Sequence, residues 1–573
     1  MGVEYVRVRS DCLAPSQNAV GPSRSNFRSI LAFARARFRS RCEEKPDAQR
    51  QVATSPAAVH RFGGLTNSAP GAKSIPRQGV PTGSFSGTTD FVVGATVKGL
   101  PLLLLTAFVL LVALTVGGAA RQGLGSDSIP ELVSLPLLAI AFPRAWPILK
   151  RSSTGLVLVF GVLALPFLQL IPLPYWLWSL LPGRQSVADI LTTAGVSASW
   201  RPISLLPGAT ERSLFSLLPA VSIFLSVLCL DRDARKFVLL VAVGIGVLSA
   251  PLAMVQLVGG LDSGLYFFDV TNSNRGVGFF ANANHFAAFE YSLLPLAAAA
   301  LSELRLRSLV FLLAAFGVVI PALLFGLTLS GSRSAVILGS IALIAAVPVL
   351  LGPEIAKWGK NRALAVAAVM AIGIIPLMGG LGLTAILTRF ATQDVAEDLR
   401  WVIAAETWRG ILNYLPFGAG VGTFPRVYPL LESASSLVPE FVNRAHNDLL
   451  ETLFEGGVGS LVLLLAFLVW FFITMRHSLF RDLEVVGRQA RAGVIVIALL
   501  LVHSLWDYPL RTIALETLFA FCVALQFTPP SIPEDHRSAW WQRLIWKQGG
   551  RRRRRRSRGS AKPIQEPAVR AVQ

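Results

Sequence analysis

Residues 444–460 read RAHNDLLETLFEGGVGS and run without a break into LVLLLAFLVWFFIT at 461–474. An uncharged run of that kind, opened by polar residues, reads as a membrane-crossing helix with its N-terminus at an interface. Asn447, Glu451 and Glu455 recur every four residues and therefore share one helix face. Asp448 followed by Glu451 predicts the helix start, an acceptor side chain with a capping Glu three residues on. His446 then falls just before a positive helix end, which discourages protonation and suits a base. Alone, the stretch reads equally well as a capped helix with a solvated histidine.

Composition extends the membrane reading to the whole chain. Of 573 residues, 53% are hydrophobic and only 15% charged, and mean hydropathy is +0.57, whereas soluble domains carry about 25% charge. The net charge of +20 is concentrated at the ends: residues 1–98 hold 14 Lys/Arg against 6 Asp/Glu, and residues 529–573 hold 12 against 3. Two basic tails thus flank a nearly neutral body, which argues against a nucleic-acid partner. Residues 1–90, rich in Ser, Pro, Gly and Arg, read as a disordered basic tail, and 529–573, with Arg551–Arg556, as a second one. Such a run attracts anionic membrane lipids. Cys12, Cys42, Cys229 and Cys522 form no metal or disulfide pattern, so neither a metal nor another cofactor is expected.

Between the tails, residues 91–528 predict an all-α, polytopic membrane domain of about twelve spans. They are placed near 99–119, 129–147, 154–171, 212–230, 236–258, 284–301, 308–329, 334–352, 363–386, 449–474, 492–507 and 509–527. The second is interrupted by Pro136, Pro143 and Pro147 and is the weakest of them. Alternate short loops gather Arg and Lys, as at Arg144, Lys150 and Arg151 or Arg476, Arg481, Arg488 and Arg491, while those between carry single arginines. The positive-inside rule puts the basic loops and both termini in the cytoplasm. The largest opposite-side segment, 387–448, lies between the ninth and tenth spans and is long enough to signal function. Within it, 393–415 predicts an amphipathic interfacial helix, with Trp401, Trp408 and Leu412 on one side and Arg400 on another. Gly418, Gly420 and Gly422 follow, a turn whose amides could approach a ligand.

Four polar clusters fall on that non-cytoplasmic side. They are NRGVGFFANANHFAAF with Arg275, Asn282, Asn284 and His285; TLSGSRSAV with Ser330, Ser332 and Arg333; LRWVIAAETWRGIL with Arg400 and Arg409; and the opening stretch with His446 and Asn447. A single arginine at a membrane face is most often an anchor. Several on one face suit a diphosphate, which guanidinium groups bind through paired, charge-assisted hydrogen bonds.

In order, these motifs resemble the bacterial O-antigen ligase and O-antigen (exopolysaccharide) polymerase family. The resemblance covers about 95–528 and is tightest over 275–460: Arg275–His285, Ser330–Ser334, Arg400–Phe424 and His446–Gly459. It implies a glycosyltransferase of the bacterial inner membrane. Such an enzyme transfers or polymerises glycan units from an undecaprenyl diphosphate-linked oligosaccharide donor to a glycan or lipid acceptor at the periplasmic face, without a metal and with inversion. It would work beside other polysaccharide export components. By position, His446, Arg333 and Arg400 take the catalytic roles. Arg275, Asn282, Asn284, His285, Ser332, Gly418, Gly420 and Asn447 line the substrate. HSLWDYPLR at 503–511 and PLPYWLWSLLPG at 172–183 lean toward the polymerases over the lipid A-core ligases. A lipid-linked glycan flippase is the rival from another class, and transfer to protein hydroxyls shares the same motifs. Polarity concentrated at one face favours chemistry over transport.

Overall fold

In the computed structural model the described residues are 88–120, 125–196, 199–260, 263–303, 309–351, 395–433, 441–481 and 487–527. They form α1 Thr88–Val116, α2 Gly125–Leu149, α3 Ser153–Gln169, α4 Gln185–Thr193, α5 Pro207–Leu228, α6 Arg232–Val258, α7 Ala283–Ser302, α8 Leu309–Ser330, α9 Arg333–Leu351, α10 Val395–Tyr414, α11 Asp448–Phe480, α12 Arg488–His503 and α13 Ile513–Ala524. Each expected span falls on one of these helices except 363–386, which lies outside the described residues, as do both basic tails. Among the described residues, six helices have the length and hydropathy to cross a membrane, and three shorter ones are similarly apolar. The chain is a helical membrane protein.

Helix α7 is the axis. Every residue from Ala283 to Leu301 is buried, against α6, α8, α9 and α12. A membrane helix that carries Asn284, His285, Glu290 and Ser292 has to turn those groups into the bundle and away from lipid. The proline-broken second span is continuous after all, α2 running through Pro130, Pro136, Pro143 and Pro147. Without water to take up freed carbonyls, the helix is still the least costly backbone state available.

At one end of the bundle the long connections fold into a layer with its own small cores. Residues 172–173 pair antiparallel with 201–202, and Trp178, Leu181 and Ala188 pack beneath them. The buried Arg184 fastens this piece, donating to the carbonyls of Pro182 (2.8 Å), Ile203 (2.7 Å) and Gly418 (2.8 Å). Burial lowers its pKa to about 10, so it remains a cation. α10 lies in the same layer, with Trp401, Trp408 and Leu412 exposed along one side and Ile403 and Ile411 buried on the other. It packs on the start of α11 through Tyr414 and Phe454, whose rings meet edge-on at 5.4 Å.

Candidate functional site

The four clusters, far apart in sequence, meet at this loop-rich end. α7 begins at Asn282, whose side chain accepts from the Asn284 amide at 2.7 Å. That cap turns the Asn284 side chain into the bundle, where Ser332 donates to its Oδ1 and its own Nδ2 donates to Asp507 Oδ2, both at 2.7 Å. Ser332 also bonds Ser334 at 2.7 Å, and the turn containing them places Arg333, only 8% exposed, as the first residue of α9. The Arg275 loop is tied to the same turn through Gly276 N donating to Leu329 O at 3.0 Å.

From the other side come α10 and the segment before α11. Arg400 reaches inward to donate to Trp506 O at 3.4 Å. His446 adopts φ +52°, the only non-glycine residue with positive φ among those described, a conformation costing on the order of 1 kcal/mol. Its ring stands edge-on to Tyr508 at 5.1 Å, and His285 stands edge-on to the same Tyr508 at 4.8 Å. Nδ1 of His446 and both nitrogens of His285 have no hydrogen-bond partner within the protein. Burial first, then the Arg400 charge, brings the His446 pKa down to about 4. The ring is therefore neutral near pH 7, as its place before a helix N-terminus predicted. The residue that caps that helix is different. Asn447, not Asp448, is the N-cap, accepting from Leu449 and Leu450 amides at 3.0 Å and donating to Leu505 O at 2.8 Å. Asp448 instead takes the Ser504 hydroxyl at 2.8 Å and Arg511 Nε at 3.3 Å. A buried carboxylate satisfied by a guanidinium and a hydroxyl gains more than one satisfied by helix amides alone.

Sequence reasoning passed over the centre of this arrangement. Asp507 is 1% exposed. Besides Asn284, it faces His285 Nε2 at 3.9 Å and His503 Nε2 at 3.8 Å, and His503 Nδ1 bonds the Tyr291 hydroxyl at 2.8 Å. Burial works against its carboxylate, but His285, His503 and Arg400 outweigh it and hold the pKa at about 2. The available signal was an Asp in a very short connection between two spans, bracketed by His503 and Arg511.

Other expectations change character. The amides of Gly418 and Gly420, read as ligand-facing, donate to Tyr414 O and Glu455 O at 2.9 Å. A Cβ on Gly418 would lie 2.2 Å from Glu455 O, and one on Gly457 would lie 2.2 Å from Pro416 O. The glycines let the 416–421 turn cross α11 where Gly457 (φ +58°) kinks it. Their job is close packing, which corrects the ligand-binding reading of Gly418 and Gly420. Arg444 is a buried partner of Glu451 at 2.8 Å. Arg511 spans Glu455 at 2.7 Å and Glu451 at 3.5 Å. Two charge clusters therefore flank the start of α11. In one, acids and arginines close on each other; in the other, Arg400 and three histidines, His285, His446 and His503, surround Asp507.

Residues 316–468 match the family described as O-antigen ligase. The match takes in Arg333, Arg400 and His446; Arg275 and His285 precede it and Asp507 follows it. It bears out the family resemblance and supports a membrane-bound, glycan-ligating or glycan-polymerising activity on lipid-linked glycans. No curated protein matches the chain.

Proposed function

We propose, from the O-antigen ligase match as premise, that the protein is a glycosyltransferase acting on a polyprenyl diphosphate-linked glycan at the loop-rich end of its bundle. The observation that carries this is that Arg400 and His446 meet the Trp506–Tyr508 loop, to which the turn before Arg333 is tied through Ser332, Asn284 and Asp507. In a bacterial inner membrane that end would face the periplasm. Arg333 and Arg400, with Arg275 beside them, hold the diphosphate. They take up the charge that develops as the anomeric C–O bond to phosphate breaks and the diphosphate departs with the bonding electrons. Preorganised donors of this kind are worth about 10²–10³ in rate each. The acceptor hydroxyl attacks the anomeric carbon from the opposite side, forming the new glycosidic bond with inversion. Its proton passes to neutral His446, whose ring Tyr508 holds edge-on. Asn284, Ser332 and His285 connect Asp507 to the arginine turn and keep both halves of the site in register. Asn282 and Asn447 act one step back, as the caps that aim Asn284 and His446. Exopolysaccharide or O-antigen polymerisation is preferred over transfer to lipid A-core, on the HSLWDYPLR motif that supplies Asp507.

Purified protein in detergent, given a synthetic diphospholipid sugar and a hydroxyl acceptor, tests the reading. Bond formation is expected, and His446→Ala should abolish it at normal protein levels. Translocation without bond formation, or near-full activity in the variant, overturns it.

A further inference from the structure

Tyr291 on α7 and His503, the last residue of α12, take no part in the proposed transfer step, yet both are fully buried. The Tyr291 hydroxyl lies 2.8 Å from His503 Nδ1. On the far side of the same ring, Nε2 stands 3.8 Å from Asp507 Oδ2 and has no hydrogen-bond partner of its own. Tyr291 is two helical turns along α7 from Asn284 and shares its face. Asn284 Nδ2 donates to that same Asp507 oxygen at 2.7 Å. One face of α7 therefore reaches Asp507 twice, directly through Asn284 and again through the His503 imidazole.

Charge decides where the imidazole hydrogen sits. A neutral ring offers one N–H and one lone pair. With the hydrogen on Nδ1, the Nε2 lone pair would face a carboxylate, and the two would repel. With the hydrogen on Nε2, the N–H dipole points at the carboxylate, and Nδ1 accepts from the Tyr291 hydroxyl. Only the second arrangement satisfies both neighbours. At 3.8 Å the Nε2–Oδ2 contact is too long for a direct bond, so it acts by electrostatic orientation. His285 has no such lock: it stands 3.9 Å from Asp507 Oδ1, and its Nδ1 has no partner. What the lock holds matters to both sides of the site. Asp507 sits between Trp506, whose carbonyl accepts from Arg400, and Tyr508, whose ring meets His446 edge-on.

We propose that Tyr291 and His503 are positioning residues. Tyr291 fixes the Nε2–H tautomer of His503, and His503 orients the Asp507 carboxylate so that the 506–508 loop keeps Arg400 and His446 in place. The kinetic consequences rest on the transfer reading; the tautomer does not.

Nitrogen NMR of the full chain, labelled at its histidines and held in mild detergent, reads the tautomer without reference to activity. Tyr291→Phe, a change that keeps the ring, should move one histidine from the Nε2–H form to a mixture of both forms. An unchanged spectrum refutes the lock, as does a responding histidine that is Nδ1–H or doubly protonated near pH 7 in the unaltered protein. In the transfer assay Tyr291→Phe should lower kcat about fivefold, the weight of one net hydrogen bond, at unchanged KM. His503→Leu should lower it about tenfold or more, and His503→Gln, which keeps an N–H toward Asp507, should recover most of that loss. In an Asp507→Asn background Tyr291→Phe should cost nothing further, whereas independent losses multiply. Equal loss in the Gln and Leu variants, or losses that multiply, refutes positioning through Asp507. Should the His503 variants fail to fold, the Tyr291→Phe spectra and kinetics decide alone. If the unaltered protein forms no glycosidic bond, the transfer reading fails and the spectra still decide the lock.

Discussion

His446 can serve as the proton acceptor only while its ring is neutral, so the pH dependence of turnover reads its surroundings directly. An unperturbed histidine titrates near 6.5, whereas burial and the Arg400 charge bring His446 to about 4. Activity is present above that pKa and is lost as pH falls through it. For the free enzyme, kcat/KM should therefore stay level from neutrality down to about pH 5 and halve near 4. The donor adds no limb of its own, because a doubly esterified diphosphate has no weakly acidic proton. In kcat, which reports the loaded enzyme, the limb should move upward, since bound diphosphate sets negative charge against Arg400. Arg400→Gln removes the opposing charge at its source. Its kcat/KM limb should rise toward 6.5, and its plateau should fall by about 10²–10³ as one oxyanion donor is lost. Initial rates from purified protein across about pH 4–9 supply both quantities. A limb near 6.5 in the unaltered protein, or the same limb with and without Arg400, would refute the placement of His446 as a buried base beside that arginine.

Asp507→Asn keeps the shape but removes the charge that Asn284 and two histidines face. Losing a charge-assisted bond of about 1.5–3 kcal/mol should lower activity at least tenfold, measured as kcat in protein with an unchanged melting midpoint. Glu451→Gln leaves buried Arg444 uncompensated and should destabilise by about 3–5 kcal/mol, seen as a lowered unfolding midpoint in detergent. Replacing Arg444 and Glu451 together by methionine should recover most of that loss. Gly457→Ala introduces a Cβ 2.2 Å from Pro416 O at φ +58°, so the yield of folded protein should drop sharply. Gly244→Ala, with nothing within 4 Å, should fold normally.

The helices were legible because apolar runs of about twenty residues admit one backbone solution in a bilayer, and prolines inside α2 did not change it. The four clusters were legible because polar residues at span ends must lie at an interface. Partner choice was not legible. Asp448 was read as the cap because local spacing favours a side chain over its own amides. The structure gives that place to Asn447 and uses Asp448 on Arg511, 63 positions away. Likewise the spacing of Gly418, Gly420 and Gly422 states only that side chains are excluded there. Whether a ligand or a crossing helix does the excluding depends on Glu455 and Gly457, which are read from another segment. Asp507 escaped notice for the same reason: its meaning comes from Asn284, His285 and His503, two of them more than 200 residues distant.

The two charge clusters at the start of α11 explain why equivalent-looking arginines take different roles. Arg444 lies two residues from His446, yet Glu451, about one helical turn into α11 and turned toward it, captures it at 2.8 Å. Arg511 is likewise held by three carboxylates. A guanidinium so engaged could bind phosphate only by stranding a buried acid, at several kcal/mol. Across the 504–512 loop Asp507 faces Arg400, His285, His446 and His503 instead, a carboxylate among one guanidinium and three imidazoles. The paired cluster next door fixes the N-terminus of α11, and with it the left-handed turn that aims His446.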